Sequence, residues 1–278
     1  MNSPSHRSDQ SAIDARALAS AARENILQMT HSAQSSHVGS ALSVVDILAV
    51  LYSGSAKVTP ETSDSPDRDC VIFSKGHAAS ALYAVLALKG FYPLSLLEGF
   101  CADGGQFGGH ITHHGKPGVE LSTGSLGHGL PYGLGVALSQ KKRGSSARTF
   151  VVMSDGECDE GTTWESALLA HQFGLDNLTV IIDRNRIQSL TFTEDTVALE
   201  PFADKWRAFN WSVRTVDGHS YEELSDALEN QDRPLCIIAE TTKGKGVSFM
   251  ENKVLWHYRP PSSQDLEAAL LELKSANT

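Results

Sequence analysis

The chain has 278 residues, of which 41% are hydrophobic, enough to bury the core of one large α/β domain or of two small ones. Its 33 acidic and 23 basic residues give a formal net charge of −10, and no block is rich in Lys and Arg. This balance disfavours nucleic acids and anionic membranes as partners. Any phosphate group must therefore be held locally, by backbone amides, histidines or a metal ion.

The cysteines and the start of the chain indicate a cytoplasmic protein. The four cysteines lie far apart without a CxxC pair, so neither a disulfide framework nor a structural zinc site is expected. No apolar run is expected to span a bilayer. Residues 1–11 are polar and lack the apolar core of a secretory signal, so they are predicted to form a disordered tail before a single domain over residues 12–278.

The first half of the chain combines helices with long irregular segments. Apolar residues at helical spacing predict helices over residues 12–28, 44–52 and 78–88. A short buried strand is predicted over residues 70–73, after a polar loop over residues 55–69. Residues 101–127 are rich in Gly and His and show no periodicity. An irregular segment of that length in a compact domain usually has a function.

From residue 130 onward, helices and strands alternate. The predicted strands cover residues 149–153, 178–183, 211–216 and 235–240. The predicted helices cover residues 130–140, 163–173, 202–209, 221–230 and 263–275. This alternation predicts an α/β fold, with a mostly parallel sheet and helices on both faces.

Polar residues follow two consecutive strands of this predicted sheet. Asp155, Gly156 and Glu157 come after the strand over residues 149–153, and Asn185 follows the next strand. Because the carboxyl ends of parallel strands meet at one edge of a sheet, we expect Asp155 and Asn185 to lie side by side. Their oxygens suit a hard cation such as Mg²⁺ or Ca²⁺, which can bridge to phosphate oxygens. Gly156 and the amides before the next helix suit a diphosphate.

These motifs resemble those of the transketolase family. SDGE at residues 154–157 and DRN at residues 183–185 resemble the family's thiamine diphosphate motif. Four further segments match in order: SSHVGSALSVVDILAVLY (35–52), FSKGHAASALYAVLALKG (73–90), GGH with GVELSTGSLGHGL (108–130) and KGKGVSFMENKVLWH (243–257). The resemblance runs from about residue 12 along nearly the whole chain. It implies the thiamine-diphosphate-binding (PP) domain, as the N-terminal subunit of a transketolase made in two pieces.

The sequence departs from the family pattern at a few positions. Ser154 stands where Gly is usual, and Arg186 stands where a small residue is common. His110 is followed by ITHH instead of a Pro-containing run, so the pocket for the acceptor is expected to differ. The sequence ends at Thr278, before the pyrimidine-binding and C-terminal domains of a complete transketolase, so these are expected on a separate subunit.

The resemblance implies how the cofactor is anchored. Asp155 and Asn185 would bind the metal through their side chains, and Ile187 through its backbone carbonyl. Gly156 and Glu157 would offer backbone N–H groups to the diphosphate, with the Glu157 side chain structural. The other residues implied to contact the cofactor are His77, Asn185 itself, His257 and the backbone stretch Gly124, Ser125 and Leu126.

The resemblance also implies a catalytic group of histidines. His77 would contact the diphosphate, while His37, His110 and His257 would line the channel over the reactive carbon. There they would bind substrate hydroxyls and shuttle protons, as a pKa near neutrality allows. Glu160 resembles a family glutamate at the subunit interface.

Structural roles remain open for several of these residues. Asp155 and His77 could cap helices, Asn185 could belong to a turn, and Glu160 could be a charged residue at a helix start. The loop histidines could be solvated. The TTKGKG segment with Lys243 does not fit a Walker A pattern and is predicted to be a flexible loop covering the site.

The expected function is transfer of a two-carbon ketol unit from a ketose (phosphate) to an aldose (phosphate). In this family the glutamate that activates the cofactor lies on the pyrimidine domain, so an α2β2 assembly with an obligate C-terminal partner subunit is expected. One alternative is another thiamine-diphosphate-dependent carboligase, for an acyloin or ketol condensation in a specialised pathway. Another is a cofactor-free regulatory relic of the fold. A zinc hydrolase built on His110, His113 and His114 lacks a nearby acidic pair.

Overall fold

The computed structural model describes residues 4–229 and 231–276. The helices are α1 (Pro4–Ser32), α2 (Val38–Val50), α3 (Ala79–Leu88), α4 (Gly129–Lys142), α5 (Gly161–Gln172), α6 (Thr193–Thr196), α7 (Phe202–Ala208), α8 (Tyr221–Ala227) and α9 (Ser263–Ala276). The strands are β1 (Cys70–Phe73), β2 (Thr149–Ser154), β3 (Leu178–Arg184), β4 (Ser212–Asp217) and β5 (Leu235–Glu240). Helix α1 includes residues 4–11, for which the sequence predicts a disordered tail, and residues 1–3 lie outside the described residues.

The strands form one parallel sheet in the order β1-β2-β3-β5-β4. In the register of β2 and β3, Thr149 lies opposite Leu178 and Ser154 lies opposite Asp183. The two strands therefore end level with each other, at one edge of the sheet. The predicted α/β fold with a parallel sheet is confirmed.

Successive residues of each strand point to opposite faces of the sheet. In β2, Phe150 and Val152 pack into a core shared with α1, α2, α3, α8 and α9. Val151 and Met153 pack into a second core shared with α4, α5 and α7. Every residue of β1, β2 and β3 is buried, as expected for strands that are covered on both faces. The prediction of helices on both faces is also confirmed.

Helix α2 and the turn after it form an unusually apolar segment. By length and composition, Val38–Ser55 is long and apolar enough to cross a membrane, which corrects the expectation that no run reaches this limit. However, 83% of the segment is buried inside the domain. There α2 packs against α1, α3, α8 and β3, so the segment has the surroundings of a core helix.

Candidate functional site: the edge formed by the ends of β2 and β3

Asp155 lies at the carboxyl end of β2 and joins it to the end of β3. Its carboxylate is only 1% exposed, so its oxygens must find partners within the protein. It accepts hydrogen bonds from the backbone N–H groups of Gly156 (2.8 Å) and Arg186 (2.6 Å). The second of these bonds links the two strand ends directly. Asp155 and Asn185 therefore lie next to each other, as the parallel sheet requires.

The Asn185 amide is held in one orientation by its neighbours. Its Nδ2 donates to Ser43 Oγ (3.2 Å) and to Asp183 Oδ2 (3.3 Å). Its Oδ1 accepts a hydrogen bond from the N–H of Ile187 (3.1 Å). The oxygens predicted to bind the metal thus belong to the end of β2 and the short segment after β3. This set contains only oxygen atoms, which suits Mg²⁺ or Ca²⁺.

The local electrostatics at Asp155 favour a bound cation. Burial raises the pKa of its carboxyl group to about 6; the nearby Asp183 raises it further, and the Arg184 guanidinium opposes both. Arg184 Nη1 lies 3.3 Å from Asp155 Oδ2. A divalent cation beside this carboxylate would stabilise its charged form.

A buried ion pair between Lys75 and Asp183 supports this edge from behind. Both side chains are completely buried. Asp183 also accepts hydrogen bonds from Ser43 Oγ (2.6 Å) and from Thr241 Oγ1. Burial alone would raise the pKa of Asp183, but the Lys75 ammonium outweighs it and the pKa is lowered. Sequence reasoning did not single out this pair, although a buried charge needs such a partner.

The Glu157 side chain has a structural role, as the resemblance implies. It is fully buried and accepts hydrogen bonds from Ser74 Oγ, from the N–H of Gly127 (2.8 Å) and from the N–H of Ser154 (3.3 Å). The ends of β1 and β2 and the segment 123–127 are thereby joined through one carboxylate. Glu157 therefore sets where that segment lies relative to the edge of the sheet.

The segment 123–127 lies very close to the backbone after β1. A Cβ atom on Gly76 would be 2.3 Å from the carbonyl oxygen of Thr123, so this position requires glycine. A Cβ atom on Gly124 would be 3.1 Å from the His110 ring. Gly124 and Ser125 are exposed and Leu126 is partly exposed. The segment thus offers open backbone beside the edge of the sheet, where the cofactor rings are predicted.

The four histidines predicted to be catalytic form one cluster. The ring centroid of His37 lies 5.4 Å from that of His77, 5.7 Å from that of His110 and 4.9 Å from that of His257. The His37 N–H also donates to the carbonyl of His257 (2.7 Å). These residues come from four separate segments of the chain, and His37 lies at the centre of the cluster.

Burial and neighbouring positive charge keep the inner histidines neutral. Burial, followed by His110 and Lys243, lowers the pKa of His37 to about 4. Burial and Lys243 lower the pKa of His257 to about 3, and the pKa of His77 is also well below its usual value. At neutral pH these imidazoles can therefore both accept and donate hydrogen bonds.

Lys243 corrects the expectation of a flexible loop covering the site. Its side chain is 1% exposed, and its Nζ donates to the Ile187 carbonyl (2.8 Å) and lies 2.9 Å from His257 Nδ1. Burial, and then the charge of Lys75, lower its pKa to about 7. The glycines of KGKG, Gly244 and Gly246, have φ angles of 81° and 94°, typical of a tight turn. They were the sequence signal for an ordered segment.

The other predicted residues lie farther out. Glu160 is exposed and directly precedes α5. His113 and His114 are exposed, with their ring centroids 4.1 Å apart. Within the described residues, no group of three or more His, Cys, Asp and Glu side chains could hold a metal ion. The three loop histidines considered for a zinc hydrolase thus do not form such a group.

Comparison with known proteins identifies the family. The family model for the transketolase thiamine diphosphate binding domain matches residues 14–273. The chain is 40% identical over 255 residues to one of the named subunits of the apulose-4-phosphate transketolase from Actinobacillus succinogenes, covering 91% of this chain and 92% of that protein. It is 38% identical over 242 residues to the 6-deoxy-6-sulfo-D-fructose transketolase subunit SqwG from Clostridium sp., covering 86% of this chain and 88% of that protein.

A solved structure of transketolase from Leishmania mexicana matches with a TM-score of 0.87 and 28% identity, over 94% of this chain and 41% of that chain. The chain thus spans about two fifths of the length of that transketolase. The chain belongs to the transketolase family, as a transketolase-type transferase subunit that contains the thiamine diphosphate binding domain.

Proposed function

We propose that this chain binds thiamine diphosphate through a divalent cation and, with a separate C-terminal subunit, transfers a two-carbon ketol unit from a ketose to an aldose. The observation that carries this proposal is the buried oxygen site formed by Asp155, Asn185 and Ile187 next to the histidine cluster, in a chain of the transketolase family. We also propose that the enzyme acts in the cytoplasm.

The residues present fit the cofactor and its metal. Asp155, Asn185 and the Ile187 carbonyl would hold Mg²⁺ or Ca²⁺, leaving coordination positions for phosphate oxygens. The N–H groups of Gly156 and Glu157 would meet the diphosphate. The remaining contacts proposed for the cofactor come from His77, His257 and Lys243 and from the backbone of residues 124–126. When bound, thiamine diphosphate supplies a thiazolium carbon that, once deprotonated, adds to a ketose carbonyl.

The histidine cluster supplies the groups that handle the substrate. The neutral imidazoles of His37 and His257 can donate hydrogen bonds to sugar hydroxyls and can take up and return a proton. His110, which is exposed at the rim, would contact the acceptor sugar. The same histidines narrow the space beside the reactive carbon and so exclude water.

The partner and the substrates are proposed from the relatives' names. Two relatives are each named as one subunit of an apulose-4-phosphate transketolase. These names support a second subunit that carries the pyrimidine-binding domain, in an α2β2 assembly with Glu160 at an interface. Relatives are named for apulose 4-phosphate and 6-deoxy-6-sulfo-D-fructose, both sugars with an anionic group. We therefore propose a ketose donor that carries a phosphate or sulfonate group. The intact Asp155, Asn185, His77 and His257 favour this enzyme over a cofactor-free relic.

Calorimetric titration tests this proposal. Thiamine diphosphate with Mg²⁺ is titrated into the chain, with and without the partner subunit, for the wild type, for Asp155→Ala and for Asp232→Ala. Asp232 is a matched control because its carboxylate is exposed and pairs only with Arg233 in the structure. We expect tight binding and ketol transfer only with the partner, both lost in Asp155→Ala and retained in Asp232→Ala. Absence of binding even with the partner would leave the regulatory relic as the better interpretation.

A further inference from the structure

The loop that carries Lys243 is held by side chains from outside the loop. The Thr242 N–H donates to His219 Nε2 (2.8 Å), and Arg23 Nε donates to the Lys245 carbonyl (3.3 Å). Between them, the Gly244 N–H donates to the carbonyl of Gly39 (2.9 Å). The residues on either side of Lys243 are therefore fixed to α1, to α2 and to the turn between β4 and α8.

Both of these side chains are oriented by one buried carboxylate. Asp46, in the middle of the apolar helix α2, is 1% exposed. Its Oδ2 lies 2.5 Å from Arg23 Nη2 and 2.7 Å from His219 Nδ1, and its Oδ1 accepts a hydrogen bond from Tyr221 (2.7 Å). Burial alone would raise the pKa of Asp46, but Arg23 and His219 outweigh it, so the carboxylate stays charged.

The two partners of His219 define its tautomer. A backbone N–H can only donate, so Nε2 of His219 must accept the bond from Thr242. The proton therefore lies on Nδ1, which donates to Asp46. The His219 side chain is only 13% exposed, so water replaces neither bond easily. One unbroken path of hydrogen bonds thus runs from Asp46 through His219 to the residue before Lys243.

The position of the Lys243 ammonium depends on its backbone being placed correctly. A Cβ atom on Gly39 would be 3.2 Å from Lys243 Cγ, so the side chain passes through a space that only glycine leaves open. Its Nζ then reaches the Ile187 carbonyl at 2.8 Å. A loop displacement of about 1 Å would move the ammonium out of contact, and misplacements of that size are costly in active sites.

We propose that His219 and Arg23, both oriented by Asp46, are positioning residues that hold the Lys243 ammonium at the cofactor edge of the sheet. The ligand class is an anion, the diphosphate of the cofactor, so the inference rests on the proposed function. None of these three residues lies in the oxygen site or in the histidine cluster. Their effect on the cofactor passes entirely through the 242–245 segment.

Two substitutions of His219 separate the bond to the loop from the bond to Asp46. The carbonyl oxygen of Gln in His219→Gln can reach the position of Nε2 and accept from Thr242. The shorter Asn side chain in His219→Asn reaches only the position of Nδ1, so it can contact Asp46 but not the loop. The two readouts are amide hydrogen exchange of residues 242–246 in the cofactor-free chain and calorimetric affinity for thiamine diphosphate with Mg²⁺ in the presence of the partner.

We expect His219→Asn to speed exchange of the 242–246 segment and to weaken cofactor affinity by roughly 10- to 100-fold, the usual size of such supporting effects. We expect His219→Gln to stay within about threefold of the wild type in both, on the same scale. At saturating cofactor, kcat of His219→Asn should recover, because the defect lies in cofactor binding.

Two results would overturn the proposal. One is equal exchange and affinity in the two variants. The other is faster exchange throughout the domain in His219→Asn, which would mean a role in folding stability alone. If the wild-type complex itself binds no cofactor, the proposed function fails, while exchange in the cofactor-free chain still decides whether His219 holds the loop.

Discussion

The histidine cluster combines burial with nearby positive charge, and this combination ties protein stability to pH. In the unfolded chain each histidine takes up a proton near pH 6.5. In the folded chain the pKa of His37 is about 4 and that of His257 is about 3. Between these values the unfolded chain binds more protons than the folded chain, so the free energy of unfolding rises with pH. Stability is therefore fully present above pH 6.5 and is lost on acidification.

The corresponding prediction concerns His37→Gln. We expect the free energy of unfolding of the wild type to fall as the pH decreases from about 6.5 to about 4, and to fall less steeply in the variant, because one group that protonates only on unfolding is gone. Urea unfolding at a series of pH values measures both slopes. His171→Gln, at an exposed position in the last turn of α5, controls for the loss of a histidine. A variant slope equal to that of the wild type would contradict the assignment.

A second prediction at the residue scale concerns the buried Lys75–Asp183 pair. Asp183→Asn leaves the Lys75 ammonium buried without its carboxylate, so we expect a loss of about 3–5 kcal/mol in the free energy of unfolding. The control is Asp176→Asn, whose pair with Lys141 is exposed (51% and 39%) and whose loss should cost at most about 1 kcal/mol. Urea unfolding compares the two. Similar losses in both variants would mean that burial of the pair has no energetic consequence.

Among the elements, the segment 123–127 depends on a close backbone contact with the turn after β1. In Gly76→Ala the new Cβ would lie 2.3 Å from the Thr123 carbonyl oxygen and 2.7 Å from the nitrogen of Gly124. Backbone atoms must move, so we expect a loss of roughly 1–3 kcal/mol in the free energy of unfolding and weaker cofactor binding. In α4, a Cβ atom added to Gly135 would have no neighbouring atom within 4 Å, so Gly135→Ala should be neutral or stabilising by up to about 1 kcal/mol. Urea unfolding and calorimetry check both; a neutral Gly76→Ala would contradict the argument.

The strands and the edge they form could be predicted from sequence because local patterns encode them. The β-branched run of β3 and its parallel pairing with β2 brought Asp155 and Asn185 together without any tertiary information. The start of α2 at Val38 was missed because Ser43 and Asp46 interrupt the apolar pattern. Their polar groups are satisfied by distant residues, Asp183 for Ser43 and a set on α1 and α8 for Asp46.

The support for Lys243 was missed for the same reason. His219 contacts Asp46, 173 positions away, and Thr242, 23 positions away, and no local periodicity connects these three positions. The tertiary packing of α2 against the turn before α8 brings them together. Sequence patterns therefore predicted the residues facing the ligand better than the residues that hold them in place.

At the scale of the whole molecule, α5 leaves apolar side chains on the surface. Leu168 is 59% exposed, and Leu169 and Phe173 are each 44% exposed. The opposite side of α5 is packed into the core through Ala167 and Ala170. Neighbouring exposed apolar side chains commonly mark a protein interface. They continue from Glu160, which directly precedes the helix and is proposed to lie at a subunit interface.

This surface gives the last prediction, that Leu169→Glu weakens assembly with the partner subunit. A charge placed in a desolvated interface costs about 2 kcal/mol or more, so we expect the dissociation constant to rise at least about tenfold. Sedimentation velocity of the chain mixed with its partner measures the mass of the assembly, and circular dichroism confirms that the variant is folded. Leu271→Glu, at a 62% exposed position on α9, is the matched control and should assemble like the wild type. If Leu169→Glu also assembles normally, the interface lies on another face, and the proposed place of Glu160 fails with it.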